Sequence, residues 1–211
     1  MACYHFRMNE RRAALISYLL SIGGLSIQAG PVPQPLKWSN PTKGVPNLAR
    51  FSQAVIQRWG ADYIRISYFI DPEGLKKRTA EDAITWLRNG RVWSGTQLTF
   101  MTGISSEKRR SVFDAQFKQL WPHGQYDPQR PTLKRFFEAT ARRLERGDRL
   151  DYLLDPTGAV MVRHGKEPWT VIKDRELMLS LLALNYVDGP DNAATIQAIA
   201  RDLERFSLNT P

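Results

Sequence analysis

The sequence predicts an α+β domain in which helices pack on one side of an antiparallel sheet. Residues 61–70 alternate between apolar and polar side chains with the period of two that is typical of a strand. Residues 147–172 hold alternating runs separated by two turn signals, which is typical of an antiparallel meander. Stretches with helical periodicity lie between and after these runs. That order of elements favours helices gathered against one face of a sheet.

Length and composition indicate one folded domain with anionic partners. The chain has 211 residues, enough for a single sizeable core, and 42% of them are hydrophobic while 24% are charged. The formal net charge is +9 and the pI is about 9.9. This charge favours nucleic acid, lipid headgroups or a ligand that carries a carboxylate, without deciding among them.

The sequence lacks the patterns of metal, disulfide and cofactor chemistry. Cys3 is the single cysteine, so no intramolecular disulfide can form. The three histidines, His5, His123 and His164, are far apart without the spacing of metal ligands. No phosphate-binding loop, dinucleotide fingerprint or nucleophile elbow occurs. The sequence therefore predicts neither a metal nor a cofactor.

The first 29 residues have the layout of a secretory signal peptide. From Met8, a basic start with Arg11 and Arg12 leads into an apolar run over 13–27, which ends near the small residue Ala29. The run is short for a transmembrane helix of about 20 residues. We therefore predict cleavage near Ala29 and a periplasmic or secreted protein without a membrane span. If the segment is not a signal, the protein is cytoplasmic and begins with an apolar helix.

A proline-rich connector precedes the domain. Residues 30–47 hold five prolines and two glycines, which predicts an extended segment without regular structure. The domain is then residues 48–211. It opens with a helix or strand at 49–60, followed by the strand at 61–70.

The remaining elements follow from caps and periodicity. Thr79 is a predicted N-cap for a helix that ends at Gly90, and residues 96–102 form a strand. A helix is predicted at 105–121. A third helix, at 133–147, is capped by Thr132 in this interpretation. After the meander come a helix capped by Asp174 and a last helix at 193–206.

A cluster of basic residues supports an alternative function. The cluster contains Arg130, Lys134, Arg135, Arg142, Arg143, Arg146 and Arg149, with Lys108, Arg109 and Arg110 earlier in the chain. Several acidic residues lie three or four positions from an arginine, so local ion pairs neutralise part of the charge. A solvated helix face is the simpler interpretation, and binding of nucleic acid or protein through residues 133–146 is the alternative.

Part of the sequence resembles the chalcone isomerase-like proteins of bacteria. The stretch "GDRLDYLLDPTGAVMVRHGKEPWTVIKDRELMLSLLALNYVDGP" has the Gly-Asp start, Tyr-bearing strand, Pro/Gly turn and Gly-Lys of the family's C-terminal half. Upstream, "YIRISYF" resembles a family strand with aromatic residues five positions apart, here Tyr63 and Tyr68. The following "GTQLTFMTGISSEKRRSVFDAQF" resembles the next strand and helix. The resemblance covers about residues 55–205 in order.

The resemblance implies an open-faced β-sandwich, with a large antiparallel sheet wrapped by helices and a cleft between them. The family includes isomerases that cyclise chalcones without a cofactor, and relatives that bind fatty acids. The isomerase reaction needs an arginine on the strand before the Tyr-bearing one. Eight positions before Tyr63, where that arginine is expected, this chain has Val55. The resemblance therefore implies a member without isomerase activity.

The resulting hypothesis is an exported chalcone isomerase-like protein that binds a small amphipathic anion, such as a fatty acid. The ligand is predicted near Tyr63, Arg65 and Tyr68, with Arg58 as a substitute cation. For the two tyrosines, the alternative is a role as core aromatics with satisfied hydroxyls. Two other functions stay open, an intramolecular lyase or isomerase of the chalcone type, and a basic interaction module. Export makes nucleic acid the less favoured partner.

Overall fold

The structure is a computed structural model that describes residues 25–29, 37–38, 44–58, 61–78, 81–121, 126–186 and 193–208. The strands are β1 Leu25–Ala29, β2 Lys37–Trp38, β3 Leu48–Arg58, β4 Ala61–Ile70, β5 Ser94–Phe100, β6 Arg149–Asp155, β7 Ala159–His164 and β8 Thr170–Lys173. The helices are α1 Pro72–Lys76, α2 Ala83–Arg88, α3 Ser106–Leu120, α4 Pro131–Ala139, α5 Arg175–Tyr186 and α6 Ala193–Leu208. This confirms the predicted α+β class.

The described strands form one antiparallel sheet. From β3 to β8 each strand pairs with the next one along the chain, and β1 and β2 both pair with β3. The turn between β6 and β7 closes with a hydrogen bond from Gly158 N to Asp155 O of 2.8 Å. Gly158 has a φ of +99° there, which favours glycine because it has no Cβ. The predicted meander is therefore confirmed.

The core lies between this sheet and the helices. The helices fall in the connections before β5 and β6 and after β8, and their apolar sides pack on one face of the sheet. Large side chains fill the interface, among them Phe100, Phe117, Phe136, Leu150 and Tyr186. The opposite face carries a smaller apolar cluster of Leu48, Phe69, Leu153 and Met161. We call the two sides the helix-facing side and the outer face.

Strands β1 and β2 lie in the segments that the sequence predicts to be a signal peptide and a connector. Residues 25–29 belong to the predicted signal peptide, yet their backbone pairs with 54–58 of β3. Lys37–Trp38 of the connector also pairs with β3, so the prediction of a connector without regular structure is wrong at these two residues. Residues 1–24 lie outside the described residues. Cleavage near Ala29 would remove β1 from the sheet.

The helix predicted at 133–147 is wrong in its bounds, and this is the largest difference between the predicted and the observed elements. Helix α4 begins at Pro131 and ends at Ala139, where the Thr140 hydroxyl donates to the Phe136 carbonyl at 3.0 Å. Beyond it, Leu144 pairs with Ile104 in an isolated bridge, which keeps the chain extended. The predicted cap is also wrong, because the Thr132 hydroxyl donates to the Asp174 carboxylate instead.

Aspartate side chains cap helices α2 and α5. Asp82 caps helix α2 by accepting from Thr85 N at 2.7 Å, while Thr79, the predicted cap, lies outside the described residues. Asp174 caps α5 as predicted, since its carboxylate accepts from the backbone of Glu176 and Leu177. The ambiguous segment at 49–60 belongs to strand β3, whose described part ends at residue 58.

Candidate functional site

A row of hydroxyl groups crosses the helix-facing side of the sheet. Ser52 lies opposite Tyr68, Tyr68 opposite Thr96, and Thr96 opposite Tyr152, on four neighbouring strands. Residues directly opposite one another on neighbouring strands share a face. All four are buried. We call them the hydroxyl row.

Helix α5 adds a further hydroxyl to this row. The ring of Tyr186 lies 5.6 Å from that of Tyr68. Burial raises the pKa of the Tyr68, Tyr152 and Tyr186 hydroxyls, so all three stay protonated and can donate. A hydrogen bond between Tyr186 and the Thr96 side chain acts in the opposite direction and lowers the pKa of Tyr186.

One of these hydroxyls lacks a hydrogen-bond partner. That of Tyr152 makes no hydrogen bond to any residue that the structure describes. Ser52, by contrast, donates to Asp202 of α6 at 2.7 Å. A buried polar group without a partner costs about 1–3 kcal/mol. The Tyr152 hydroxyl therefore marks a place where a polar group of a ligand would be stabilised.

Arg109 brings a positive charge into the same interior. It lies on α3, which Ser105 caps by accepting from Lys108 N at 3.2 Å, and the residue is only 4% exposed. Its Nη2 donates to the carbonyls of Thr140 and Arg142, just beyond the C-terminus of α4. Nε and Nη1 make no hydrogen bond within the described part of the chain. One guanidinium nitrogen is thus engaged, and the other two are unused.

The charge of Arg109 lies close to the hydroxyl row. Burial lowers the pKa of Arg109 and raises that of Tyr152, and in each case the other residue opposes the shift. Arginine nevertheless stays charged in proteins. Arg109, Thr96, Tyr152 and Tyr186 therefore form one polar group of side chains, which we call the interior site.

Aromatic rings surround the interior site. The ring of Tyr152 lies 6.1 Å from that of Phe136 and 6.3 Å from that of Phe113. Further rings continue from there between α3 and α4, namely those of Phe117, Trp121 and Phe137. The site thus combines one cation and a few hydroxyls with an extensive apolar wall, an arrangement typical of pockets for amphipathic ligands.

His164 lies beside Arg109, at the end of β7. It is 7% exposed, and its Nε2 lies 3.0 Å from the Ala139 carbonyl oxygen. Burial, followed by the charge of Arg109, lowers the pKa of the imidazole. The residue also lines a cleft of about 420 Å³, together with Arg142, Asp148, Arg149, Lys166 and Glu167.

Comparison with known proteins identifies the fold. No family model and no curated protein matches the sequence. Among solved structures, the chain is similar to a fatty-acid binding protein of Arabidopsis thaliana, with a TM-score of 0.58 and 13% sequence identity. The similarity covers 88% of this chain and 89% of that one. This is the chalcone isomerase-like fold. The fold implied by the sequence resemblance is therefore confirmed, while membership among bacterial proteins with signal peptides stays a prediction.

Within the chalcone isomerase-like fold, the predicted ligand residues lie on two sides of the sheet. Tyr68 faces the helices, where it contacts the rings of Phe51 and Tyr186. Tyr63 and the exposed Arg65 alternate with it along β4 and therefore belong to the outer face. The side chain of Arg58, the predicted substitute cation, lies outside the described residues. Tyr63 and Arg65 thus do not share a site with Tyr68.

Sequence reasoning missed the interior site, although one signal for Arg109 was present. Arg109, Phe113 and Phe117 are four residues apart and so lie along the apolar stripe of α3. A charged residue within an apolar stripe is a candidate for a buried functional group.

Among the described residues, no group of three or more His, Cys, Asp or Glu side chains could hold a metal ion. No described helix has the length and hydropathy needed to cross a membrane.

The buried imidazole predicts a pH dependence of stability. The folded chain holds the pKa of His164 below the ordinary value of 6.5, so the unfolded chain binds a proton more readily. Stability should therefore decrease as the pH falls below about 6.5, by at most about 1.4 kcal/mol per pH unit. Urea unfolding of the wild type and of His164→Gln across this range would measure the effect. Equal pH dependence in both proteins would contradict it.

Proposed function

We propose that this chain binds a small amphipathic anion with one carboxylate, such as a fatty acid, between the sheet and the helices, and that it does so without catalysing a reaction. The observation that carries the proposal is the buried guanidinium of Arg109. It has no acidic partner among the described residues, and two of its nitrogens are unused. A ligand carboxylate would supply the missing negative charge.

Electrostatics favours such a ligand. A buried charge without a counter-charge costs several kcal/mol even after relaxation of its surroundings. Hydrogen bonds between a guanidinium and a carboxylate are charge-assisted and therefore strong. Nη2 of Arg109 is already engaged, and Nε and Nη1 lie on different edges of the guanidinium, so a carboxylate can accept from one of these two nitrogens. The Tyr152 hydroxyl, whose pKa the charge of Arg109 affects, can donate as well.

The surroundings favour a ligand with a long apolar part. The rings of Phe113, Phe117 and Phe136 pack against one another beside the interior site. Hydrocarbon buried among such side chains gains about 25 cal/mol for each Å² removed from water. The Arabidopsis protein of the same fold is a fatty-acid binding protein, which supports this class of ligand.

The position of Val55 supports a role without isomerase activity. Val55 lies opposite Arg65 on the outer face, so an apolar side chain occupies the position where the resemblance to the isomerases requires an arginine. For the alternative function as a basic interaction module, Arg142 pairs with Glu167 and Arg143 with Glu145, so part of the exposed charge is neutralised within the chain.

We further propose that the protein is exported to the periplasm or secreted. The basic start and apolar run of the first 29 residues support this location. The N-terminal sequence of the protein recovered from cell fractions tests it. A chain that begins after Ala29 in the exported fraction would support the proposal, whereas a cytoplasmic chain that begins at Met1 or Met8 would refute it.

Extraction of the purified protein tests the ligand directly. The full chain is denatured and extracted with solvent, the extract is analysed by mass spectrometry, and the emptied protein is refolded and titrated with palmitate. A carboxylic acid recovered at about one per chain, together with saturable binding of palmitate, is the expected result. Saturable turnover of a chalcone would support the isomerase instead, and salt-sensitive retention on DNA would support the basic module.

Tyr152→Phe separates ligand binding from folding. The hydroxyl has no partner in the described part of the chain, so its removal should leave the free energy of unfolding unchanged or raise it by up to about 1 kcal/mol. The same change should weaken palmitate binding about tenfold, because one donor to the carboxylate is lost. Urea unfolding and a binding titration measure the two effects. Lower stability without any change in affinity would place Tyr152 outside the site.

A further inference from the structure

Two side chains reach the chain just after the last turn of α4 from different elements. His164 of β7 lies with Nε2 3.0 Å from the carbonyl oxygen of Ala139, and Arg109 of α3 donates to the carbonyl of Thr140. Ala139 and Thr140 are consecutive residues, whose Cα atoms are about 3.8 Å apart. The imidazole and the guanidinium are therefore neighbours in the same part of the interior, and the charge of Arg109 acts on the pKa of His164.

The hydrogen bond to Ala139 determines which nitrogen of His164 carries the proton. A carbonyl oxygen can only accept, so Nε2 must be the donor of that bond. In the neutral imidazole, Nδ1 then holds a lone pair and can only accept. Burial and the charge of Arg109 lower the pKa of His164, which keeps the ring neutral at neutral pH, although the nearby Glu167 acts in the opposite sense.

The acceptor on His164 has no donor. Nδ1 is buried and makes no hydrogen bond to any residue that the structure describes. The charged residues that act on the imidazole are Arg109 from α3, Arg142 after α4 and Glu167 after β7. Two of them are cations, but neither donates to Nδ1. A buried acceptor in this state is as costly as a buried donor without a partner.

Arg109 and His164 therefore need opposite groups on a ligand: Arg109 needs a hydrogen-bond acceptor, and His164 needs a donor. The free nitrogens of Arg109 can only donate, and Nδ1 of His164 can only accept. A simple carboxylate has no hydrogen to give, so it would satisfy Arg109 and leave His164 without a partner. The cleft of about 420 Å³ that His164 lines provides room for an additional polar substituent.

We infer that the ligand carries a hydroxyl group close to its carboxylate, and that Nδ1 of His164 accepts a hydrogen bond from this hydroxyl. The inference rests on the proposed function, because Arg109 is taken to hold the carboxylate. It narrows the ligand class from fatty acids in general to fatty acids hydroxylated within a few carbons of the acid group. The hydroxyl bond adds about a tenfold preference for such an acid.

The test compares matched ligands on the full chain emptied of ligand. Palmitate, 2-hydroxypalmitate and 3-hydroxypalmitate have the same chain length and differ only in the hydroxyl. One of the hydroxy acids should bind about tenfold more tightly than palmitate. The His164→Gln side chain reaches about as far as Nε2 and can keep the bond to Ala139, but it has no acceptor at the position of Nδ1. It should therefore bind all three acids with the affinity of palmitate.

Lys173→Gln is the control for the substitution itself. Lys173 is exposed on the neighbouring strand β8 and lies outside the lining of the cleft, so its replacement should keep the preference for the hydroxy acid. A second measurement needs no variant. In nitrogen NMR spectra of the wild type, the Nδ1 resonance of His164 should shift when the hydroxy acid binds and stay in place when palmitate binds.

The possible failures are distinguishable. If the three acids bind equally and their binding depends on Arg109, the inference about the hydroxyl is wrong and the proposed function stands. A preference that persists in His164→Gln, with an unmoved Nδ1 resonance, also overturns the inference. If no acid binds at all, the proposed function fails, and the inference fails with it.

Discussion

Replacing Arg109 by methionine should weaken palmitate binding about 10- to 100-fold. Methionine has a similar length and fits an apolar interior, but it cannot donate to a carboxylate. A hydrogen bond to a charged group contributes about 1.5–3 kcal/mol, and a factor of ten in affinity corresponds to about 1.4 kcal/mol. Loss of the one bond from Nε or Nη1 to the carboxylate therefore accounts for this range. Titration calorimetry on the emptied protein measures it.

Two further substitutions complete this experiment. Lys108→Met removes the neighbouring charge on the exposed side of α3 and should leave the affinity unchanged. Arg65→Met tests the cation that the sequence predicted on the outer face. If Arg65→Met loses the ligand while Arg109→Met keeps it, the carboxylate binds on the outer face and the interior site is structural.

Folding of the Arg109 variant needs its own measurement, because Arg109 also holds the carbonyls of Thr140 and Arg142. Loss of these bonds should lower the free energy of unfolding, and removal of an uncompensated buried charge should partly offset that loss. Urea unfolding monitored by circular dichroism measures the net change. Arg109→Lys keeps the charge without the planar geometry of a guanidinium, so it should bind palmitate with intermediate affinity.

The fold was predictable from the sequence because its patterns are local. The alternation over 61–70 divides the side chains of β4 between the two faces of the sheet, and the "DPTG" turn closes the meander. Helix α4 shows where local patterns fail. Its periodicity continues past Ala139, but the Thr140 side chain and the bridge between Leu144 and Ile104 stop it, and that bridge joins residues 40 positions apart.

The candidate site was not predictable, because it depends on the register between distant strands. Tyr68, Thr96 and Tyr152 line up only when β4, β5 and β6 pair as they do, and helical connections separate these strands in sequence. Arg65 was predicted to bind the ligand because it lies between two aromatic residues on a strand. Sequence spacing correctly assigned Arg65 to the face opposite Tyr68, but it contained no information about which face the helices cover.

The outer face contains the buried ion pair with the largest expected effect on stability. Asp151 is 1% exposed and accepts from Arg163 Nε at 2.9 Å and from Gln97 Nε2 at 3.1 Å. The Arg163 guanidinium also lies over the Trp169 ring, 4.3 Å from its centroid. Burial raises the pKa of Asp151, although Arg163 and Gln97 oppose the shift. The carboxylate therefore depends on Arg163 to remain charged inside the protein.

Arg163→Met should lower the free energy of unfolding by about 3–5 kcal/mol at neutral pH, since it removes the cation that is hydrogen-bonded to the buried carboxylate and leaves only the more distant charge of Arg149. A folded pKa above the unfolded value means that the folded chain binds the proton more readily, so protonation of Asp151 favours the fold as the pH falls. The loss of stability in Arg163→Met should accordingly be smaller when urea unfolding is measured at mildly acidic pH.

A second substitution is the control. Adding Asp151→Asn to Arg163→Met removes the uncompensated charge and should recover most of the lost free energy of unfolding at neutral pH. A loss of less than about 1 kcal/mol in Arg163→Met, or a loss that does not change with pH, would contradict this prediction. Water would then reach Asp151, and the outer face would be more open than the packing of Trp169 over Arg163 implies.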